Sequence, residues 1–346
     1  MAIPYEGDGS AIVAHELPII STPQGADART AESINVMTRY LADYVAYLQE
    51  HAVLESDAVL AELQASKWHL RATNGIAAVF MDLCYDATDG YCAVGYGGAC
   101  LTAGPSGKNW TAQADLQFHN PGDYFGVCKH LILVAVGNNL CSTSSTNGVT
   151  WAARVIPAGI YNSVIWIGDK FVAVGDGVCA TSANGIAWVA RSFPLASANR
   201  VTWTGTRAVA IGNQTCATST NGIDWIEQVI QAENFKDLAW TGSEVVAIGS
   251  NCCSSSATGV APWTAHPITE FDALSVGWNG KILVAVGADG ECSTSRDRGV
   301  SWQMSGGFER ELIGAGDCKR IVWGDTKWAV ICSISSAAYT SVELGA

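Results

Sequence analysis

Residues 170–191 read KFVAVGDGVCATSANGIAWVAR, and the same pattern recurs along most of the chain. Each copy has an apolar run that ends in glycine, a cysteine four or five residues later, a polar turn and a tryptophan. The repeated residues are Gly95, Gly137, Gly175, Gly212, Gly249 and Gly287, with Cys100, Cys141, Cys179, Cys216, Cys253 and Cys292, and Trp110, Trp151, Trp188, Trp225, Trp263 and Trp302. By subtraction, successive glycines are 42, 38, 37, 37 and 38 residues apart. A spacing of roughly 20–50 residues is typical of stacked repeat architectures.

One repeat predicts four short β-strands joined by tight turns. Residues 163–168 are rich in β-branched and aromatic side chains, 171–175 are apolar, and 178–182 and 186–191 follow after turns that contain glycine. The first two strands are apolar on both faces, so each must be covered on both sides. A β-propeller supplies this cover because similar sheets, its blades, pack against one another around a ring. We therefore expect an all-β fold of four-stranded antiparallel blades.

The two ends of the chain predict how this ring closes. A seventh copy near the C terminus, with Ile331 in the glycine position, supplies three strands and stops before the fourth. Upstream of the first copy, residues 68–71 (WHLR) match the fourth-strand sequences at 151–154 and 188–191. We expect this N-terminal segment to be the missing outer strand.

The prediction is therefore a seven-bladed β-propeller over residues 66–346, preceded by a short α-helical segment over residues 1–65. In this scheme residues 66–73 complete the last blade, residues 318–342. Six blades followed by a degenerate tail are the alternative.

The turn between the third and fourth strands carries a resemblance. Residues 295–302, SRDRGVSW, fit the pattern S-x-D-x-G-x-[S/T]-W, and 145–151, 182–188 and 219–225 are shortened copies with Asn in place of Asp. Over about residues 75–342 the chain resembles the Asp-box (BNR) repeat β-propellers. The Asx side chain is expected to cap its own turn, with glycine at positive φ and tryptophan packed beneath. This resemblance implies a fold and not an activity.

Composition limits the classes of partner. Only 15% of the 346 residues are charged, with 36 Gly and 13 Trp, which suits short, closely packed strands with many turns. The formal charge of −13 and the lack of a basic run argue against nucleic-acid binding. The N-terminal sequence lacks the pattern of a signal peptide, and no run approaches about 18 consecutive apolar residues. We expect synthesis in the cytosol of the cell that makes the protein, and no membrane insertion.

The twelve cysteines are interpreted mainly as small buried side chains. Six of them occupy the same point of successive repeats, where equivalent atoms are too far apart to form disulfides. We therefore expect reduced cysteines, although Cys84 with Cys92, and Cys318 with Cys332, could meet across hairpins. No pattern typical of a zinc site is present, so neither a metal nor a cofactor is expected.

The N-terminal segment contains an amphipathic pattern and a second resemblance. Ile34, Met37, Leu41, Tyr44 and Leu48 follow the 3-4-3-4 spacing of one helix face. Around them, D-x-x-T-A-x-[S/N]-[V/I]-N and L-A-D-x-x-A-[Y/F]-L resemble an N-terminal module of tailed-phage structural and tail-fibre proteins. The matching residues are Asp27, Thr30, Ala31, Ser33, Ile34 and Asn35, then Leu41, Ala42, Asp43, Ala46, Tyr47 and Leu48. The resemblance implies a virion component whose N-terminal part attaches to other virion proteins or to itself.

The sequence does not single out a catalytic site. A sialidase needs an arginine cluster on the loop face, and only Arg200, Arg310 and Arg320 are candidates near that face. Glycosidase chemistry needs two carboxylates roughly 5–10 Å apart. Several carboxylates fall in connections assigned to the loop face, so none is singled out: Asp123, Asp176, Glu233, Glu270, Asp289, Glu309 and Asp317.

Binding residues are predicted from their place in the repeat. The turns after the second strand and the connections between blades are expected on one face of a propeller. The candidates are Tyr96, Asn138, Asp176, Asn213 and Asp289 in the turns, and the aromatic residues Tyr161, Phe235 and Phe271 in the connections. Polar groups beside exposed aromatic rings suit sugar hydroxyls and ring faces. The alternative is that turns simply favour Asn, Asp and Ser.

The sequence thus predicts a non-enzymatic structural or receptor-binding protein, similar to a tail fibre, in the virion of a tailed phage. A host-surface glycan or receptor is its expected external partner. The alternatives are a lectin-like carbohydrate-binding propeller and a glycoside hydrolase or lyase.

Overall fold

The computed structural model describes residues 68–72, 78–231, 233–304, 316–324, 327–333 and 340–344, the first and last of these ranges by their backbone. The attachment segment 1–65 lies outside the described residues, together with the expected helix-face residues Ile34, Met37, Leu41, Tyr44 and Leu48. Arg310 and Glu309 also lie outside them, as does the side chain of Glu270. The boundary at residue 65 therefore stays a prediction.

Four sheets each contain one repeat, with four antiparallel strands in chain order. The first consists of β2 (Phe80–Asp86), β3 (Gly90–Gly95), β4 (Cys100–Ala103) and β5 (Trp110–Ala112), and the second of β6 (Tyr124–Lys129), β7 (Leu133–Gly137), β8 (Cys141–Ser144) and β9 (Ala152–Arg154). The third consists of β10 (Tyr161–Trp166), β11 (Phe171–Gly175), β12 (Cys179–Ser182) and β13 (Val189–Arg191), and the fourth of β14 (Arg200–Trp203), β15 (Ala208–Gly212), β16 (Thr215–Ser219) and β17 (Ile226–Gln228).

A fifth sheet has six strands because two repeats share it. Its strands are β18 (Phe235–Trp240), β19 (Val245–Ser256), β20 (Thr264–Trp278), β21 (Leu283–Gly287), β22 (Cys292–Ser295) and β23 (Gln303–Met304). With 12 and 15 residues, β19 and β20 are each long enough for two strands of the repeat. The sheets of the described residues thus number six, and the count of seven blades stays a prediction.

The last sheet combines both ends of the described chain. Its strands are β24 (Cys318–Gly324), β25 (Lys327–Cys332), β26 (Thr340–Leu344) and β1 (Trp68–Ala72), in that order. β1 runs antiparallel to β26, with Trp68 opposite Leu344 and Ala72 opposite Thr340. Residues 68–71, as part of β1, therefore form the outer strand of the last sheet, as the sequence predicts.

Seven innermost strands contact one another in a closed cycle. In order they are β2, β6, β10, β14, β18, β20 and β24, which contacts β2 again. Helical structure among the described residues is limited to α1 (Asp115–His119) and two short 3₁₀ turns, Tyr96–Gly98 and Ala288–Gly290. The predicted all-β propeller fold of four-stranded antiparallel blades is confirmed.

The repeated glycine is explained by a close approach of two backbone segments. A Cβ atom on Gly175 would lie 1.8 Å from the carbonyl oxygen of Ile160, and one on Gly137 would lie 1.8 Å from that of Asp123. The carbonyls come this close because the first strand is irregular beside the glycine, with a register shift between Tyr161 and Ser163. Glycine is therefore required by space at this position.

The cysteine of one repeat meets the turn glycine and the tryptophan of the next repeat. The side-chain oxygen of Asn221 accepts two backbone N–H groups at 2.8 and 2.9 Å, so the predicted Asx-capped turn is present. The carbonyl of Gly222, which has φ 70°, accepts the indole N–H of Trp225 at 3.2 Å and the thiol of Cys179, from the preceding sheet, at 4.0 Å. The same contact recurs in the pairs Cys100–Gly148, Cys216–Gly259 and Cys253–Gly299. One element of the repeat thus joins each of these repeats to the next, and Cys253 and Gly299 do so within the six-stranded sheet.

The cysteine predictions are confirmed in part. The six repeated cysteines are buried and not disulfide-bonded, and burial raises the pKa of the Cys179 and Cys216 thiols to about 12. Cys318 and Cys332, however, form a disulfide, so the expectation of fully reduced cysteines is wrong at this pair. Cys84 lies opposite Cys92 without forming one.

One register assignment also needs correction. Cys318 lies opposite Cys332, as Phe80 lies opposite Gly95 in the first sheet. Cys332 therefore takes the glycine position of the last repeat, one residue beyond Ile331. The shift was missed because no glycine marks this position in the sequence.

Candidate functional site

The innermost strands bring one residue of each repeat to the same position, opposite the residue that precedes the repeat glycine or its equivalent. We call this set the inner ring. Its members are Asp82, Gly126, Ser163, Arg200, Asp237, Ser275 and Arg320. Two carboxylates and two guanidinium groups are thus placed on one circle of strands.

The four charged groups of the inner ring form one network. Arg200 contacts Asp82 (Nη1–Oδ1, 3.0 Å) and Asp237 (Nε–Oδ1, 3.4 Å). Arg320 contacts Asp82 (Nε–Oδ1, 3.1 Å) and pairs with Asp237 through Nη1 and Oδ2. Because β14 and β2 are not neighbours in the cycle of strands, Arg200 and Asp82 must meet inside the ring. Positive and negative charges balance there.

Polar members of the inner ring also bond to the next innermost strand. Asp82 accepts the backbone N–H of Val127 at 2.8 Å, and Asp237 accepts that of Val276 at 2.9 Å. Ser275 donates to Asp237 at 2.6 Å and accepts the N–H of Ile321 at 3.1 Å. These bonds follow the direction of the ring, and they engage side chains that are almost fully buried. The inner ring therefore holds the sheets together.

Electrostatics keep this network charged. Burial alone would raise the pKa of Asp237, but the charges of Arg320 and Arg200 and hydrogen bonds from Ser275 and Val276 hold it below its ordinary value. Burial works against the charge of Arg320 as well, and the neighbouring carboxylates outweigh it, so its pKa is raised. Neither group changes its charge near neutral pH, which does not suit general acid–base catalysis.

The predicted polar binding residues lie in the turns at one end of the strands, which we call the loop face. Asn138, Asp176, Asn213 and Asp289 are exposed there, and Tyr96 is 44% exposed. Each directly follows its strand or lies one residue further on. The structure therefore places these five on the loop face, as expected.

The three predicted aromatic residues are instead part of the core. Tyr161, Phe235 and Phe271 are at most 1% exposed. Tyr161 and Phe235 are the first residues of innermost strands, where side chains pack between neighbouring sheets, and the hydroxyl of Tyr161 donates to the carbonyl of Pro157 at 3.0 Å. The expectation that these rings are exposed is wrong, because Tyr161 and Phe235 belong to the start of packed strands and Phe271 lies within β20.

Several loop-face carboxylates are engaged in holding loops. Asp176 accepts hydrogen bonds from Asn162 at 3.0 Å and Ser197 at 2.7 Å. Asp123 accepts the N–H of Gly97 at 3.1 Å, and Asp317 pairs with Lys319 at 2.7 Å. Within the described part of the chain, no three His, Cys, Asp or Glu side chains are grouped so that they could hold a metal ion.

A groove opens on the loop face beside the first repeat. It has a volume of about 510 Å³, and its lining includes Val79, Tyr96, Ala112, Gln113 and Gln117. The described lining carries no charged side chain. We call this feature the Tyr96 groove.

The local sequence explains why this groove exists. The connection from β5 to β6 has 11 residues (113–123) and contains α1, whereas the connection from β9 to β10 has 6 (155–160). Gly98, at φ 76°, packs against α1 so closely that a Cβ atom would lie 2.8 Å from Cα of Gln117. Beside it, the ring of Tyr96 meets Phe125 edge-on at 6.1 Å. A longer connection and a glycine turn thus form one wall of the groove.

Sequence reasoning missed most of the inner ring and the groove. The sequence predicts Arg200 and Arg320 near the loop face, but it makes no prediction for Asp82 and Asp237. The sequence feature that marks Asp82 and Asp237 is their spacing. Each lies two residues after the aromatic residue that begins its innermost strand, Phe80 or Phe235. The groove has no such repeated signal.

None of the helices in the described ranges is both long and apolar enough to cross a membrane. No family model matches the chain, and no curated protein matches it.

The fold and the ring of sheets define the chain as a β-propeller. A structure described as YCF48 bound to D1 peptide is similar to it, with a TM-score of 0.64 and 13% identity, over 81% of this chain and 95% of that one. YCF48 from Cyanidioschyzon merolae has a TM-score of 0.63 and 14% identity over 80% and 98% of the two chains. The WD40 β-propeller domain of Doa1 has a TM-score of 0.61 and 10% identity over 80% and 97%. At these identities the likeness shows the fold alone.

Proposed function

We propose that this chain is a non-enzymatic binding propeller that holds a partner at the Tyr96 groove. The observation that carries the proposal is a division of roles on the loop face. Carboxylates such as Asp176 and Asp123 hold the loops, whereas the groove presents a neutral wall with an exposed aromatic ring. Such a surface supplies contact area and hydrogen bonds without a charged side chain that could act as a general base.

An extended peptide segment of a protein partner is the occupant that we favour. The groove is lined by small side chains and by the amides Gln113 and Gln117, and Tyr96 offers a large ring at its edge. Aromatic residues of this kind dominate the energy of many protein interfaces. A similar fold in the YCF48 structure is described as bound to a D1 peptide, which gives a precedent for a peptide on such a fold.

We further propose that the protein belongs to the particle of a tailed phage, where residues 1–65 attach it and the propeller is displayed. This proposal is supported by the resemblance of the N-terminal segment to a module of tailed-phage structural and tail-fibre proteins. We also propose that the turns between the third and fourth strands are Asp-box turns. Partners of the N-terminal segment are then other virion proteins or a second copy of the chain.

Carbohydrate binding is the second candidate, favoured by the same neighbourhood of one aromatic ring and two amides. Sugar rings stack on aromatic faces, and side-chain amides form hydrogen bonds with the sugar hydroxyl groups. The host-surface partner would then be a glycan.

The binding proposal is tested with labelled full-length chain on host cells, a peptide library and a glycan array. Tyr96→Ala is expected to weaken binding roughly tenfold or more, as loss of an interface anchor does. Ile226→Ala, a change at a 65% exposed residue of outer strand β17, is the matched control and should leave binding unchanged. Equal binding by wild type and Tyr96→Ala would contradict the groove as the site.

The particle proposal needs a separate measurement. Purified phage particles are analysed for the chain by mass spectrometry after production with wild type, Leu41→Asp or Arg39→Lys. We expect Leu41→Asp to reduce incorporation, because it places a charge on the expected attachment face, and Arg39→Lys to leave it unchanged. Absence of wild-type chain from the particles would overturn this proposal.

A further inference from the structure

The disulfide Cys318–Cys332 takes the place of a pair that is apolar in other repeats. It joins β24 to β25 at the register position where an apolar residue otherwise faces the repeat glycine. The corresponding pairs are Phe80–Gly95, Tyr124–Gly137, Tyr161–Gly175, Phe235–Gly249 and Ala273–Gly287. The covalent pair thus occurs in the sheet that is completed by β1, from the other end of the chain.

This disulfide lies next to the residue that connects the last sheet to the inner ring. The register of β24 and β25 shifts between Cys318 and Arg320, so the bulge that positions Arg320 begins at the disulfide. Arg320 in turn reaches Asp82 on β2 and Asp237 on β18. A constraint on the bulge is therefore a constraint on the charge network.

We propose that Cys318–Cys332 is a redox-controlled lock on ring closure. When the disulfide is reduced, β24 and β25 are held by hydrogen bonds and side-chain packing without a covalent link, Arg320 is less firmly positioned, and β26 and β1 become the first strands to open. The proposal does not depend on what the propeller binds. It implies that a chain made in a reducing compartment becomes more stable once it meets an oxidant.

The chemistry of the lock is thiol–disulfide exchange. Two cysteine thiols pass two hydrogen atoms to a small disulfide such as oxidised glutathione, which becomes two glutathione thiols while one S–S bond forms in the chain. A dithiol reductant runs the exchange in reverse, whereas a phosphine together with one water molecule converts the disulfide to two thiols and becomes the phosphine oxide. Cys318 and Cys332 are 0% and 2% exposed, so exchange requires local opening of the sheet.

The test compares full-length chain refolded with oxidised glutathione and chain refolded with a phosphine reductant. Alkylation after denaturation should modify ten cysteines in the first preparation and all twelve in the second. The reduced chain should melt about 5–10 °C lower. Its additional hydrogen exchange should be concentrated in β24, β25, β26 and β1, with β10–β13 unchanged.

Two paired variants identify the cysteines responsible. Cys318→Ala with Cys332→Ala should melt at one temperature under both conditions, below oxidised wild type. Cys84→Ala with Cys92→Ala, which removes two thiols that face each other across β2 and β3, should keep the difference between conditions. Equal melting and exchange of oxidised and reduced wild type would overturn the proposal. So would a loss of protection that is spread evenly over all sheets, or twelve alkylated cysteines in the oxidised chain.

Discussion

Arg320 and Asp82 form an ion pair, with Nε 3.1 Å from Oδ1, that connects the innermost strand of the last repeat to that of the first. The same two strands are neighbours in the cycle of strands, and the last sheet is completed by β1, which directly precedes the first repeat. The ring is thus closed twice, by strand pairing in the outer part of the sheet and by charge at its centre.

Removal of one charge from the inner ring should destabilise the protein strongly. Asp237→Asn keeps the shape of the side chain but leaves Arg200 and Arg320 with a single carboxylate between them. We expect a loss of about 3–5 kcal/mol in the free energy of unfolding, measured in urea. The control Asp317→Asn removes a carboxylate that is 42% exposed and should cost under about 1 kcal/mol. A loss that small for Asp237→Asn would show that the network is not structural.

Stability should also fall in acid through the same residue. The folded-state pKa of Asp237 lies below the ordinary value of 3.8, so its contribution is present above pH 3.8 and is lost as the pH falls through the folded-state pKa. The wild type should therefore lose more stability than Asp237→Asn below pH 3.8, as measured by thermal unfolding across pH. Parallel curves for the two proteins would contradict the assignment.

The repeat glycine should not tolerate a methyl group. Gly175→Ala places Cβ against a backbone carbonyl that cannot rotate away, and we expect destabilisation of about 3 kcal/mol or more. Gly104→Ala is the control, because no atom lies within 4 Å of the added carbon, and it should stay within about 0.5 kcal/mol of wild type. Chemical denaturation of the three proteins checks this, and similar midpoints for both variants would refute the close-approach explanation.

The contact between the Cys179 thiol and the Gly222 carbonyl should contribute to stability in both oxidising and reducing conditions. Cys179→Ala removes the sulfur that reaches the Gly222 carbonyl and leaves a small cavity, so a loss of about 1–2 kcal/mol is expected. Because Cys179 is a buried thiol with a raised pKa, reductant should not change this difference. A variant as stable as wild type would show that this position contributes little to packing.

The fold could be predicted because its signals repeat. Apolar runs, glycine-containing turns and tryptophans recur in six copies, and the match between residues 68–71 and the other fourth strands indicated the partner of the last sheet. The glycine itself indicated a turn, but its reason, a carbonyl 1.8 Å from a would-be Cβ of Gly175, depends on a bulge in the neighbouring strand that sequence does not show.

The site could be predicted only in part. Turn residues such as Asn138 lie on the loop face because their position follows from the strand that precedes them. Tyr161 and Phe235 were misplaced because the boundary between a connection and a buried strand depends on packing by the next sheet. The Arg–Asp network joins residues as far apart in sequence as Asp82 and Arg320, and pairing over that distance requires the closed ring.

The most direct test of ring closure compares a chain that begins at Ser66 with one that begins at Ala78 and therefore lacks β1. The account predicts that the shorter chain melts lower by about 5 °C or more, and that β26 loses its hydrogen-exchange protection while β11 keeps it. Equal melting temperatures, with β26 still protected in the chain that lacks β1, would contradict it.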